Sequence, residues 1–157
     1  MFNCLQASEE LDGIHTELVI QAFADRIFVL ITQMGKVGNL IQASIPSTTP
    51  LVPVDASNSE PDANLLPPPP PAIQLTPLLG SAPSEHIQTL HSLYTAQVAT
   101  LIWIAESEKY LENNRRSVIV GIALKKSEGD ASGDLSEHER NVFHGSMVLL
   151  QKTLAAI

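Results

Sequence analysis

The chain has 157 residues, 44% of them hydrophobic, and its 9 Lys and Arg against 17 Asp and Glu give a formal charge of −8. This size predicts a single domain with one core, and the aromatic content of 4% predicts that aliphatic side chains build it. The acidic balance argues against a nucleic-acid-binding surface, because the affinity of proteins for nucleic acid depends mainly on basic residues that neutralise phosphates. It favours a partner with a basic surface.

The compartment signals in the sequence favour an intracellular protein. The longest apolar run, residues 98–105, is far shorter than the ~20 residues that span a bilayer. The N-terminus carries acids where a secretory signal would carry basic residues and a long apolar stretch. Cys4 is the only cysteine, which excludes an internal disulfide and fits a reducing compartment. We therefore expect no membrane association and a location in the cytoplasm and also the nucleus.

The first part of the chain predicts three strands. We expect residues 1–15 to form a flexible N-terminal extension and a single folded domain to span residues 16–157. Residues 17–24 follow a β pattern, and the β-branched run at 27–33 is typical of a central strand covered on both faces. The polar pair between them predicts an antiparallel hairpin, and the glycines before residues 39–44 predict a second hairpin into a third strand.

A proline-rich insert interrupts the domain at about residues 46–71. Most of the chain's 11 prolines lie there, among Ser, Thr, Asn and Asp, and the segment ends in five prolines at 67–71. Because so little apolar content cannot offset the entropy of folding, we predict a disordered or extended insert with a stiff polyproline II end. That end is either a spacer or a ligand for an aromatic-lined groove, and the lack of a flanking basic anchor favours the spacer.

The second part predicts two strands and two helices. Residues 72–80 resemble a short edge strand, since the proline within them lacks an amide hydrogen. Apolar residues at helical spacing predict a helix over 84–108, and the β-branched run at 117–124 predicts a buried strand. A capping-box pattern at 136–139 precedes a final helix. The expected fold is α+β, with a mainly antiparallel sheet of about five or six strands packed with two amphipathic helices.

The sequence offers no converging set of catalytic groups. Its five histidines never lie three or four residues apart, so no helical metal-binding pair exists, and they are interpreted as surface or hydrogen-bonded residues. No nucleophile elbow is present, and no nucleophile lies beside a candidate base. We therefore expect no enzymatic activity, no catalytic residue, no cofactor and no metal.

A glycine-rich motif at residues 32–40 flanks one lysine, Lys36, with Gly35 and Gly38. A phosphate-binding loop requires a different order, with lysine directly after the second glycine and a helix following it. The GxxG loop of the KH fold joins two helices and belongs on a basic surface. The favoured interpretation is a bulged hairpin in which both glycines adopt positive φ and Lys36 stays exposed for a protein partner.

One block of the sequence, residues 16–42, carries a distinctive order of motifs: a strand ending in Ala-Phe, an aliphatic strand, then Thr-Gln-x-Gly-Lys-x-Gly and a Leu. The second half adds LLG at 78–80, an amphipathic helix, an aliphatic strand and a final helix. This order resembles the proteasome assembly chaperone 3 family. The matching positions are Ala22, Phe23, Thr32, Gln33, Gly35, Lys36, Gly38 and Leu40.

The resemblance implies a small α+β chaperone without enzymatic activity or cofactor. Members of the family pair with proteasome assembly chaperone 4, and the dimer binds α-type subunits, the fifth in particular, to promote assembly of the α-ring of the 20S proteasome. A homodimer of the isolated chain is compatible with this role. The resemblance marks one motif as a possible partner contact or hairpin, formed by Thr32, Gln33, Gly35, Lys36 and Gly38. Of these five residues, Lys36 is the expected contact. The long insert departs from the family pattern.

A second hypothesis is an adaptor or regulatory module that recruits a groove-bearing domain through the prolines at 67–71. The chaperone hypothesis predicts dimerisation, because a sheet with apolar residues on both faces and only two helices would leave one face uncovered. Deletion of residues 67–71 would separate the two, since the adaptor would lose its partner and the chaperone would still dimerise.

Overall fold

Six strands and two helices make up the part of the chain that the computed structural model describes, residues 4–51, 66–109, 115–126 and 135–156. The elements are β1 Cys4–Leu11, β2 Ile14–Ala22, β3 Arg26–Thr32, β4 Asn39–Ser44, β5 Gln74–Leu79, α1 Glu85–Lys109, β6 Ser117–Ala123 and α2 Glu137–Ala155.

These strands form one sheet in the order β1-β2-β3-β6-β4-β5. The central pair, β3 and β6, is parallel, and the other four pairs are antiparallel. The first of them is the β-branched run that the sequence predicts to be a central strand covered on both faces, and the second is the run predicted to be a buried strand. The α+β class and the mainly antiparallel sheet are therefore confirmed.

Both helices pack on one face of this sheet. Alternate residues of the central strands point toward them, and Val29, Val118 and Val120 have no exposed surface. Helix α1 packs over β4, β5 and β6, whereas α2 packs over β1 and β2. Tyr94 and Phe143 join the two helices through an edge-to-face contact with ring centroids 5.0 Å apart. This layer is the single, mostly aliphatic core that the composition predicts.

Each helix begins with a serine cap. Ser136 Oγ accepts a hydrogen bond from Glu139 N at 3.1 Å, and the Glu139 carboxylate accepts one from Ser136 N, which confirms the predicted capping box of α2. At the start of α1, Ser84 Oγ accepts from Ile87 N at 3.3 Å. Neither helix in the described ranges is long and apolar enough to cross a membrane.

The flexible extension predicted for residues 1–15 is wrong where β1 lies. This strand pairs with β2 along its whole length. Leu11 is buried against α2, where a Cβ added to Gly145 would lie only 2.6 Å from Leu11 Cδ2. The acidic and polar residues of β1 are mostly exposed, so composition alone conceals an edge strand with one apolar face.

The two predicted hairpins have different outcomes. The first is confirmed, since β2 and β3 are antiparallel neighbours and Phe23 N donates to Arg26 O at 2.8 Å across their turn. The second is wrong, because β6 inserts between β3 and β4. A strand from the far end of the chain thereby completes the hydrogen bonding of both neighbours, which local sequence patterns do not reveal.

Residues 52–65 of the predicted insert lie outside the described residues. At the beginning of the insert, the Thr49 carbonyl accepts a hydrogen bond at 3.2 Å from an arginine that precedes β6. At its end, Gln97 Nε2 on α1 donates to the Pro67 carbonyl at 2.9 Å. Pro67 and Pro70 are buried, a spacing of three that matches the polyproline II repeat. The proline run is thus anchored to α1.

Candidate functional site

The glycine-rich motif forms a loop over the end of β6, which we call the crossover loop, residues 33–38. This loop leaves β3 and enters β4 on the opposite side of β6. Gln33 N donates to Ala123 O at 2.8 Å, which continues the parallel pairing beyond β3. Because β3 and β6 are parallel, the segments that follow them meet at the same end of the sheet.

Two buried residues of the motif hold the crossover loop from within. Thr32 Oγ1 accepts hydrogen bonds from two backbone N–H groups of the loop, each at 3.2 Å. Gln33 Nε2 donates to Thr16 Oγ1 at 3.1 Å, and Gln33 Oε1 accepts from Lys125 N at 3.0 Å. Both Thr32 and Gln33 are buried. They therefore shape the loop and connect three strands, and their side chains are not available as partner contacts.

The two glycines of the loop both adopt the positive φ that the sequence predicts, +66° at Gly35 and +71° at Gly38. Only Gly38 is crowded. A Cβ at this position would overlap the carbonyl group of Ile122, 2.7 Å from its carbon, whereas a Cβ on Gly35 would meet nothing within 4 Å. Gly38 thus lets the loop pass directly over the β6 backbone, and the motif is a crossover connection instead of a bulged hairpin.

Lys36 is exposed at the crossover loop. Its backbone N–H donates a hydrogen bond to Thr32 Oγ1. This amide is therefore not available to bind a phosphate group, as the amides of a phosphate-binding loop are. The Lys36 ammonium group has no ion pair among the residues that the structure describes. Its role as a partner contact stays a prediction.

Replacement of Gln33 by leucine should lower the free energy of unfolding by about 2 kcal/mol, because Thr16 and the amide of Lys125 would lose buried hydrogen bonds. Urea unfolding followed by circular dichroism measures this difference. The matched control is Gln88→Leu on the exposed surface of α1, which should change stability by less than about 0.5 kcal/mol. Equal effects of both substitutions would contradict the structural role of Gln33.

The face of the sheet opposite the helices is named the open sheet face. No helix of the described chain packs on it, and strand pairing places an apolar row across its centre. Neighbours in the row are paired residues of adjacent strands, which therefore point to the same side. The row runs across β2, β3, β6, β4 and β5 through Val19, Leu30, Gly121, Leu40 and Leu79.

Leucines meet over a glycine at the centre of this face. Leu30 Cδ1 and Leu40 Cδ2 each lie 3.1 Å from the position of a Cβ on Gly121, so the missing side chain leaves room for both. Phe28 and Ile119 form a second apolar pair beside the row. Polar residues surround this centre, which is the usual arrangement of a protein interface. Among them are Gln6, Glu17, Gln21, Gln42 and Thr76.

A cleft of about 940 Å³ lies beside the crossover loop, between the carboxyl ends of β3 and β6 and the first turns of both helices; we call it the carboxyl-end cleft. Three of the five lysines of the chain line it, Lys36, Lys125 and Lys126, with three of its five histidines. Glu139 is the acidic residue in its lining. Within the described residues, no group of three or more His, Cys, Asp or Glu could hold a metal ion.

Two of the cleft histidines lie in different environments. His86 Nε2 lies 2.8 Å from Glu139 Oε2. Burial alone would raise the pKa of Glu139, but hydrogen bonds from His86 and Ser136 outweigh it and hold the pKa below the usual value. His91 is 7% exposed, its Nδ1 lies 3.5 Å from Asn39 Nδ2, and burial lowers its pKa. His91 is therefore neutral at pH 7, and its Nε2 has no hydrogen-bond partner among the described residues.

The sequence identified one wall of the cleft and missed the rest. Gln33, Lys36 and Gly38 of the predicted motif line it. Lys125 and Lys126 were not among the predicted site residues, although a lysine pair directly after a buried strand is a usable signal. Side chains at the carboxyl end of a parallel strand face the crevice where open α/β sheets bind ligands.

Comparisons with known proteins identify a curated relative and a solved structure with a similar fold. No protein-family model matches the chain. Over 41 residues the chain is 39% identical to proteasome assembly chaperone 3 of Nematostella vectensis, and this block is 26% of the chain and 30% of that protein. The match thus spans about a third of the length of the relative.

The fold is similar to that of a chain in a structure described as a novel chaperone complex for yeast 20S proteasome assembly. The TM-score is 0.52 at 16% identity, and the alignment covers 97% of this chain and 98% of the other. At this identity the likeness concerns the fold. The sequence block and the shared fold together confirm the resemblance of this chain to the proteasome assembly chaperone 3 family.

Proposed function

We propose that the protein is a non-enzymatic chaperone for assembly of the 20S proteasome α-ring, acting as a heterodimer with a proteasome assembly chaperone 4-like subunit. The observation that carries this proposal is the open sheet face, with its apolar centre and polar surround. A relative named for proteasome assembly and a fold shared with a chaperone complex support the same role. Its place of action would be the cytoplasm and the nucleus.

The open sheet face supports dimerisation through a second sheet. An apolar row that crosses five strands without a helix over it is suited to association, and two such faces can stack about 10 Å apart as a sandwich. Leu79 is 61% exposed at the β5 end of the row, so apolar contact would extend to the edge of the sheet. A related chain with a similar fold is the natural partner, and a homodimer is expected when that partner is absent.

The client would be an α-type proteasome subunit, the fifth in particular. This part of the proposal comes from the family resemblance, and the charge of −8 is compatible with a basic client surface. The open sheet face would be occupied by the dimer partner, so the client is expected to contact other surfaces. Lys36, exposed on the crossover loop, is one candidate contact.

The adaptor hypothesis receives less support than the chaperone hypothesis. A groove-bearing domain needs access to the proline run, but Pro67 and Pro70 are buried and Gln97 holds the Pro67 carbonyl. The run is therefore partly occupied by contacts with its own chain.

Affinity purification of the tagged chain from a cell lysate, followed by mass spectrometry of the bound proteins, tests the proposed function. We expect one small partner chain together with free α-type subunits and few β-type subunits. Recovery of proteins with proline-binding domains and no proteasome subunit would overturn the chaperone proposal in favour of the adaptor. Deletion of residues 67–71 is the matched control, because the chaperone should keep its partner after this change.

A further inference from the structure

Three of the five lysines of this acidic chain line the carboxyl-end cleft. Lys36, Lys125 and Lys126 line it, and none of their ammonium groups has an ion pair or hydrogen bond with another described residue. The acid in the lining, Glu139, is already bonded to His86 and to its own helix cap. The cleft therefore presents unpaired positive charge in a chain whose formal charge is −8.

The floor of the cleft is apolar. Leu90, Tyr94 and Val142 line it and are buried, and Met34 lies at its edge with 49% of its surface exposed. The imidazole of His91, a residue that is 7% exposed, adds a polar ring nitrogen, Nε2, without a hydrogen-bond partner among the described residues. A ligand that combines an apolar group with surrounding carboxylates would complement this pattern of floor and border.

We propose that the carboxyl-end cleft binds an extended acidic peptide segment of a partner protein, with one apolar side chain on the floor and carboxylates against the lysines. This inference is independent of the proposed dimer, because the apolar row of the open sheet face does not line the cleft. The volume of about 940 Å³ is at the upper end of the ~300–1,000 Å³ usual for ligand pockets, which suits a few residues of peptide.

A compact phosphate fits the cleft less well than a peptide. Phosphate sites rely on clusters of free backbone N–H groups at helix starts or glycine loops. Here the Thr32 hydroxyl accepts hydrogen bonds from two backbone amides of the crossover loop. The hydroxyls of Ser84 and Ser136 likewise accept hydrogen bonds from amides in the first turns of α1 and α2. The remaining cations are flexible lysines spread along the border, a geometry suited to successive carboxylates of a peptide.

Fluorescence anisotropy with a short synthetic peptide, in which glutamates alternate with leucines, tests the proposal on the full-length chain. We expect saturable binding that weakens as salt is added, since exposed charge pairs are screened. The same peptide with glutamines should bind about tenfold more weakly, and so should the peptide with serines for leucines. Equal binding of the glutamine or serine peptide would overturn the proposal.

Charge reversal locates the binding on the protein. Lys125→Glu should weaken peptide binding by about tenfold. Lys152→Glu makes the same change of net charge at the far end of α2, and it should leave the peptide affinity within about twofold of that of the parent chain. Circular dichroism of both variants checks folding. Equal loss in both variants would mean a general charge effect and overturn the site. Complete displacement of the peptide by inorganic phosphate would identify a simple anion site and overturn the peptide proposal.

Discussion

Replacement of Leu30 by aspartate should abolish dimerisation. Leu30 lies at the centre of the apolar row and faces Gly121 and Leu40 across the neighbouring strands. A carboxylate there would be buried without a partner between two sheets, which should weaken association by about 100-fold or more. Co-purification of the variant with its partner chain, and sedimentation of the isolated chain, measure this loss.

The matched control for this variant is Leu93→Asp. Leu93 is also a large apolar residue, 43% exposed, but it lies on α1 and so on the helix side of the sheet. The control should retain dimerisation. Circular dichroism spectra of both variants distinguish lost association from lost folding, and Leu79→Asp at the edge of the row gives a second variant whose side chain is mostly exposed. Full dimerisation of folded Leu30→Asp would exclude the open sheet face as the interface.

Replacement of Gly38 by alanine should lower the free energy of unfolding by about 3 kcal/mol or more. The φ of +71° already disfavours a side chain by about 1–2 kcal/mol. The new Cβ would also overlap the Ile122 carbonyl, so the loop or the end of β6 would have to move. Urea denaturation of the variant, with the slope compared with that of the parent chain, measures the difference.

Gly35→Ala separates the steric effect from the conformational one. Gly35 has nearly the same φ, +66°, and nothing lies within 4 Å of an added Cβ. Gly35→Ala should therefore lower the free energy of unfolding only through its unfavourable φ, by about 1–2 kcal/mol. If the two alanine variants were equally stable, the close passage of the crossover loop over β6 would not be a determinant of the fold.

Local patterns were sufficient for most elements of this fold. Apolar periodicity predicted α1 almost to the residue, the capping box predicted the start of α2, and the β-branched runs predicted the two central strands. Each of these signals is contained in one continuous segment. The residues that determine each of these elements are therefore the same residues that form its sequence pattern.

Strand neighbours were not predictable in the same way. Two-sided apolar character shows that β3 and β6 are central, but it does not show that they pair with each other, since the pairing joins Arg26 to Ser117 across most of the chain. For the same reason, local patterns did not predict which residues meet at the crossover loop. Thr16, Gln33 and Lys125 come together only when β6 lies next to β3, and no local motif connects them.

The two hydrogen bonds that fix the ends of the proline-rich insert have a consequence for how related chains can vary. The Thr49 and Pro67 carbonyls are held by side chains of the folded domain, and doubling the number of residues between two such fixed points costs only about 0.6 kcal/mol of closure entropy. Residues can thus be gained or lost between these two points without altering strand register. The fold can therefore accept inserts of different lengths there while the strand pairs on either side stay the same.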